Sequence, residues 1–138
     1  MNALLTALNT KLVNSDLYNT VNGRIYLDQA DSPDYPRVVY SIISAVPDRT
    51  FSEKYQEVLL QFSLFSAKSA GMSIMTTMYN DLITLLDEQS LDISGDTLIW
   101  MKEENLVTMT ETLATPLPDG SNGVLAWHVD FSVTIKKA

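Results

Sequence analysis

The chain has 138 residues, the usual size of one domain. It contains no cysteine, which excludes thiol nucleophiles, disulfide frameworks and thiolate metal sites. Its net charge is −8 and its only adjacent basic pair is Lys136 and Lys137, so the lysine and arginine clusters of nucleic-acid-binding proteins are missing. No apolar run approaches ~18 residues and the N-terminus lacks the basic region of a signal peptide. We therefore expect neither a membrane span nor secretion, and a protein used in the cytoplasm where it is made.

The first predicted elements are a helix and a short extended segment. Residues 2–14 carry leucines at helical spacing, namely Leu4, Leu5, Leu8 and Leu12. Asn22 and Gly23 form a strong turn signal, and residues 24–27 follow it as a short extended run. Residues 28–36 are a polar loop whose two prolines oppose regular strand pairing.

Two long strands are predicted next. Residues 38–46 are rich in β-branched side chains, and we expect residues 47–50, which begin with a proline, to end that strand. In the second strand, residues 55–65, one face is mostly apolar and the other is mixed. Leu59 and Phe65 lie on the mixed face, which suits contact with another helix or with a neighbouring subunit.

The last half of the chain begins with an amphipathic helix over residues 69–86, with Ser69 as the candidate cap. Two short extended runs, residues 97–101 and 106–112, are expected around a charged segment. A loop at 115–123 then leads to a final strand, residues 124–135, with a clear apolar-polar alternation. We predict a single α+β domain over residues 1–138, with a mainly antiparallel mixed sheet of four to five strands and two helices packed on one face.

The sequence contains little that indicates catalysis. The single histidine, His128, lies two residues from Asp130 on one face of the last strand, and such a pair could orient a general base if an unmarked Ser or Thr served as nucleophile. A structural or interface histidine is the favoured interpretation. Asp28, Asp31 and Asp34 do not have the spacing of a calcium loop, and the glycines match no phosphate-binding motif. We expect no catalytic residue, no metal and no cofactor.

The order of segments resembles the tail-terminator (tail-completion, minor tail protein U type) family of long-tailed bacteriophages. The motif Gly23-Arg24-Ile25-Tyr26 is followed by a proline-containing loop and by a strand that starts Pro36-Arg37-Val38-Val39-Tyr40. A long strand at 55–66, a helix at 69–86 and a final strand around 127–133 continue the agreement.

The resemblance implies a non-enzymatic subunit of a hexameric ring that caps the tail tube, stops its polymerisation and provides the head-docking surface. The implied partners are other copies of the chain, the tail-tube protein and a head-completion or neck protein, and DNA would cross the lumen without specific binding. The implied location is the head-proximal end of the virion tail, after assembly in the host cytoplasm.

Ring contacts join two different patches on each subunit. We expect the subunit or tube interface to use the mixed strand face and two loops, through Asp48, Arg49, Phe51, Leu59, Phe65, Leu117, Asp119 and Asn122. The loops are expected to become ordered on docking. Three alternatives stay open: a head-closure, neck or tail-tube subunit, a small hydrolase that uses His128 with Asp130, and a monomeric binding domain.

Overall fold

The computed structural model describes residues 2–31, 34–49 and 52–138. Along the chain the elements are α1 (Asn2–Val13), α2 (Asp16–Thr20), β1 (Ile25–Leu27), β2 (Arg37–Arg49), β3 (Lys54–Ala67), a 3₁₀ turn (Lys68–Ala70), α3 (Met72–Leu86), β4 (Thr97–Thr112) and β5 (Gly123–Lys136).

The strands form one five-stranded mixed sheet in the order β1-β2-β3-β5-β4. Among the described residues, β1 and β2 alone pair in parallel, and the other three neighbouring pairs are antiparallel. The predicted α+β class and the mainly antiparallel mixed sheet are therefore confirmed. The short helix α2 is an addition to the prediction. Ser15 starts it, because its hydroxyl accepts a hydrogen bond from the Tyr18 amide at 3.2 Å.

The hydrophobic core lies between the helices and one face of the sheet. At its centre the Phe62 ring stacks on Tyr40 with centroids 5.4 Å apart and meets the edge of Phe131 at 5.6 Å. The helices cover this face with side chains that are almost fully buried: Leu4, Leu8, Leu12, Met75, Met78, Leu82 and Leu86. Each such side chain stabilises the fold by about 1.5–3 kcal/mol relative to an exposed position.

Strand β2 continues through Pro47 to Arg49, so the predicted break at residues 47–50 is wrong for residues 47–49. Pro47 lies opposite Gln56 of β3. On its other side β2 is paired with β1 only through residues 38–40, and no further strand of the described ranges lies there. A proline is tolerated in such an edge because its missing N–H leaves no ladder hydrogen bond unmade.

Strand β4 is one 16-residue strand and not the two short runs that were predicted. Its pairing with β5 shifts between Leu98 and Trp100 and again between Glu103 and Asn105. These irregularities absorb extra residues without interrupting the strand, as β-bulges do. The charged segment that suggested a break is thus part of the strand.

Helix α3 begins at Met72, after Gly71 with φ +85°, and not at Ser69. The Ser69 hydroxyl is engaged elsewhere, since it donates to the Asp119 carboxylate at 2.6 Å. Among the described residues, no helix combines the length and the apolar character that crossing a bilayer requires.

Candidate assembly surfaces

The face of the sheet opposite the helices, called the open face below, is built from alternate residues of β3 and β5. Even-numbered residues of β3 point into the core, so the odd-numbered ones lie on the open face. The half-buried side chains of this face on the two strands include Leu59, Gln61, Ser63, Phe65, His128, Asp130 and Ser132. The prediction that Leu59 and Phe65 share a face with polar neighbours agrees with this placement.

Two polar pairs cross the centre of the open face. Ser63 and His128 lie opposite each other, with 2.8 Å between the hydroxyl oxygen and Nδ1. Gln61 donates its amide to the Asp130 carboxylate at 3.1 Å. A serine hydrogen-bonded to a histidine is the first contact that a nucleophile and its base require. The Asp130 carboxylate, which the hydrolase alternative would use to orient the histidine, is hydrogen-bonded to Gln61.

Ser63 could not be identified from the sequence. Nothing in its local sequence distinguishes it from the other serines, and its proximity to His128 depends on the pairing register of β3 with β5. Only the register, which is a tertiary property, brings the two side chains together.

Phe65 is packed by its neighbours on the open face. Its ring meets the edge of the His128 ring at 6.2 Å, and the Arg37 guanidinium lies 5.2 Å from its centroid. Arg37 also lies 4.5 Å from the centroid of Tyr35. Cation–π contacts of this kind hold the arginine against the aromatic rings. The part of the open face around Phe65 is therefore organised within one subunit.

The residues of the family resemblance meet where β1 pairs with β2. Gly23 has φ +78°, and a Cβ at this position would stand 3.1 Å from the Tyr18 hydroxyl. Arg24 donates from Nε to the Pro36 carbonyl at 2.9 Å and from Nη2 to the Tyr35 carbonyl at 3.0 Å. The arginine thereby ties the turn before β1 to the start of β2, which is a structural role for the motif.

Asp48 and Arg49 lie at the exposed end of β2, opposite Tyr55 and Lys54 of β3. Phe51, the third predicted contact in this region, lies outside the described residues.

The loop between β4 and β5 contains the other predicted contacts, and it is closed by its own hydrogen bonds. The Leu117 amide donates to the Ser121 carbonyl at 2.7 Å, and the Leu113 amide donates to the Asn122 carbonyl at 2.7 Å. Asp119 accepts from the hydroxyls of Ser121 and Ser69, both at 2.6 Å. These hydrogen bonds, that of Ser121 first, lower the pKa of Asp119 to about 2. These bonds close the loop within one subunit, and its ordering on docking stays a prediction.

The two predicted loop patches are at opposite ends of the sheet. Arg49 is level with the start of β3, whereas the loop after β4 lies beside its end at Ala67. Along β3 this separation is roughly 40 Å, at about 3.3 Å per residue. The patches therefore form two separate surfaces, with Leu59 and Phe65 on the open face between them.

Comparisons with known proteins identify the fold. No protein-family model matches the chain, and no curated protein matches it. The fold occurs in a virion. A chain of the structure described as the virion of a native gene transfer agent (GTA) particle is similar over 98% of this chain and 96% of that one, with a TM-score of 0.72 and 12% identity. A second solved chain is similar over 96% of this chain and 94% of its own length, with a TM-score of 0.57 and 8% identity. At these identities the likeness shows a common fold.

The described part of the chain has no group of three or more His, Asp or Glu side chains arranged to hold a metal ion. What the surfaces offer is contact area, namely the half-apolar open face and the exposed patches at the two ends of the sheet.

Proposed function

We propose that this chain is a structural protein of a phage or phage-like virion. The observation that carries the proposal is the likeness of fold to a chain of the gene transfer agent virion over nearly the whole length of both. A match over nearly the whole of both chains means that the entire fold is shared, whereas a shared local motif would cover only part of each.

Within the virion, we assign the chain the role of tail terminator. Copies of it would form a hexameric ring on the end of the tail tube, stop tube polymerisation and present the surface on which the head docks. The support is the motif at residues 23–26 and 36–40, whose residues the fold brings together. The exposed patches at the two ends of the sheet provide separate surfaces, one for the tube protein and the other for the head-completion or neck protein.

The role requires no catalysis and no cofactor, because each step is a contact between proteins. The net charge of −8 suits a ring through which DNA passes without being bound, since like charges repel. The chain would then be found at the head-proximal end of the tail.

The test is capping of tail tubes made from the tube protein of the same genome. The wild-type chain is expected to form rings on tube ends in electron micrographs and to arrest their growth. A variant that lacks residues 117–122 should keep its circular dichroism spectrum, because β4 and β5 stay joined by residues 113–116, but it should no longer bind the ends. Normal capping by the deletion variant would contradict the assignment of this loop to the tube or head contact.

The alternative within the same class is a head-closure, neck or tail-tube subunit, and electron microscopy of the purified chain separates these roles. Closed rings that do not stack favour the terminator, and spontaneous long tubes favour the tube protein. Neighbouring reading frames that encode head-joining and tail-tube proteins would support the terminator.

A further inference from the structure

One edge of the sheet is only half covered. Strand β1 pairs with β2 at residues 38–40, and the Asp28 amide makes the last backbone hydrogen bond to this edge among the described residues, to the Tyr40 carbonyl at 2.9 Å. Beyond it, residues 41–49 have no further strand beside them in the described ranges. Ile43 is 53% exposed and Val46 is 54% exposed. This half-edge is called the β2 edge below.

The opposite edge of the sheet, along β4, is also half covered. The end of α3 lies against its first part, where the Glu88 amide donates to the Met101 carbonyl and the Glu103 amide donates to the Asp87 carboxylate, both at 2.8 Å. Residues 104–112 continue without a strand partner on that side among the described residues. Val107 and Met109 are 45% and 46% exposed there. This half-edge is called the β4 edge.

Beyond the irregularity between Glu103 and Asn105, the β4 edge has few of the features by which proteins usually prevent strands from pairing between chains. Residues 104–112 contain no lysine, arginine or proline, and the segment is long. Exposed edges of this kind are templates for another strand. Its charged side chains are Glu104 and Glu111, so pairing with a second β4 edge would bring acidic side chains together, which disfavours that pair. The β2 edge ends with Pro47, Asp48 and Arg49, so its favourable charge contact with the β4 edge is the local one of Arg49, and one hydrogen bond is missing from a ladder at Pro47, which has no amide to donate.

The two edges have the correct directions to pair with each other. β2 is antiparallel to β3, β3 to β5 and β5 to β4, so β4 runs antiparallel to β2. A second copy placed beside the first by rotation about a ring axis keeps its strand directions. Its β2 edge would therefore meet the β4 edge of the first copy as an antiparallel pair, which is the stronger ladder.

We propose that residues 104–112 of one subunit pair with residues 41–49 of the next, so that the sheets of neighbouring subunits join around the ring. The proposal rests on the ring of the proposed function and specifies its subunit contact. In the proposed register Val107 lies opposite Val46, and Glu104, the extra residue at the β4 irregularity, comes level with Arg49. Val46 lies beside Glu57, and Val107 beside His128, so both valines are on the open face and the faces of the two sheets match.

The offset between the edges is compatible with closure. Across one sheet, Val46 pairs with Glu57, and Glu57 pairs with Thr134 of β5. Val107 pairs with His128, which lies six residues before Thr134 on the same strand. Each subunit is thus displaced by about six residues, or ~20 Å, along the strands. The four strands that separate one junction from the next span ~19 Å. The displacement along the strands divided by the width per subunit corresponds to a strand tilt of about 45°, the upper end of the range in closed β-barrels.

The absence of native cysteine allows a direct test with the full chain. The variant Val46→Cys/Val107→Cys is expected to form covalent ladders up to the complete ring on oxidation, seen on a non-reducing gel. Within one subunit the two positions are separated by three strand spacings, ~14 Å, and by ~20 Å along the strands. A disulfide requires Cα atoms within about 7 Å, so an intramolecular bond is excluded.

The matched control is Val46→Cys/Ile99→Cys. Ile99 is on the same strand and is 46% exposed, but it lies in the half of β4 that α3 and the following loop approach. This variant should stay monomeric on the gel. Equal ladders from the control would overturn the edge pairing. Covalent dimers of the single variant Val107→Cys would also overturn it, because they would indicate contact between two β4 edges.

Two further outcomes separate the interface from the function. Rings in micrographs of a Val46→Cys/Val107→Cys protein that shows no cross-link would overturn the edge pairing and leave the ring intact. Ladders that grow into open filaments, without closed rings, would support the pairing and contradict the terminator. As a second measurement, Glu104→Arg should weaken assembly at least tenfold, and Arg49→Glu/Glu104→Arg should restore it; no rescue would count against the register.

Discussion

The hydroxyl of Tyr79 on α3 donates a hydrogen bond of 2.5 Å to the Glu103 carboxylate on β4. The Tyr79 ring also meets the edge of Trp127 on β5 at 5.8 Å. Glu103 stands where β4 absorbs an extra residue, and its amide donates to Asp87 at the end of α3. The pair therefore fixes the helix to the sheet at the last covered point of β4, beyond which the edge is open.

Tyr79→Phe is expected to lower the free energy of unfolding by about 1–2 kcal/mol, because the variant loses a hydrogen bond to a charged group. Burial, and next the bond to Glu103, raise the pKa of Tyr79 to about 12 from an ordinary value of 10.0. A raised pKa means that the stabilisation is complete below pH 10 and is lost as the pH rises from 10 to 12. Urea denaturation of both proteins across this range should show the difference shrinking.

The control is Tyr55→Phe. Tyr55 also donates to a carboxylate, that of Glu53, and this bond raises its pKa, but the pair lies near the exposed end of the β2–β3 hairpin. A smaller loss than that of Tyr79→Phe is expected because solvent screens the pair. Equal losses from the two variants would contradict the special position of Tyr79.

Asp119→Ala should open the loop between β4 and β5 without unfolding the domain. The expected result is faster hydrogen exchange at the Ser121 amide, which donates to the Asp119 carboxylate at 2.9 Å. The pKa of Asp119 is lowered to about 2 from 3.8, so the closed loop is fully stabilised above pH 3.8 and loosens as the pH falls toward 2. An NMR titration of the carboxyl carbon measures this directly. Asp119→Asn keeps one acceptor oxygen, so its hydrogen-exchange rate at the Ser121 amide should lie between those of the wild type and Asp119→Ala.

Hydrophobic periodicity was enough to locate the elements that build the core. Helices α1 and α3 and strand β5 each bury one face. Apolar residues recur with the period of the element because only the buried face requires them. The same patterns led to the correct fold class. The alternation also placed Leu59 on the face opposite the core, as the structure shows, since its neighbours Val58 and Leu60 are both buried.

The sequence was uninformative where a strand has no buried face or no neighbour. The second half of β4 is exposed on both sides except at Leu106, so it lacks alternation. Pro47 indicated a break because local sequence does not show that β2 is an edge at this point. The Ser63–His128 contact depends on register, which joins residues far apart in the chain.

Leu59 and Leu60 are adjacent residues on opposite faces, and they test whether the open face belongs to the subunit core. Leu60 is fully buried against the helices, so Leu60→Ala should cost about 2–5 kcal/mol of unfolding free energy. Leu59 is half-buried, and Leu59→Ala should cost less than about 1 kcal/mol. Thermal or urea denaturation measures both. Comparable losses would show that the open face is as important to the monomer as the core.

The Ser63–His128 pair is expected to be inert as a catalyst. A serine nucleophile needs its base oriented by a third group and an oxyanion site with free N–H donors. Asp130 is bonded to Gln61, and β3 is paired on both sides, with Val39 and His128 flanking Ser63, so the backbone donors around the serine are used in the sheet. A fluorophosphonate probe should therefore leave Ser63 unlabelled, and His128→Ala should assemble like the wild type. Stoichiometric labelling that disappears in His128→Ala would instead establish a nucleophile and favour the hydrolase.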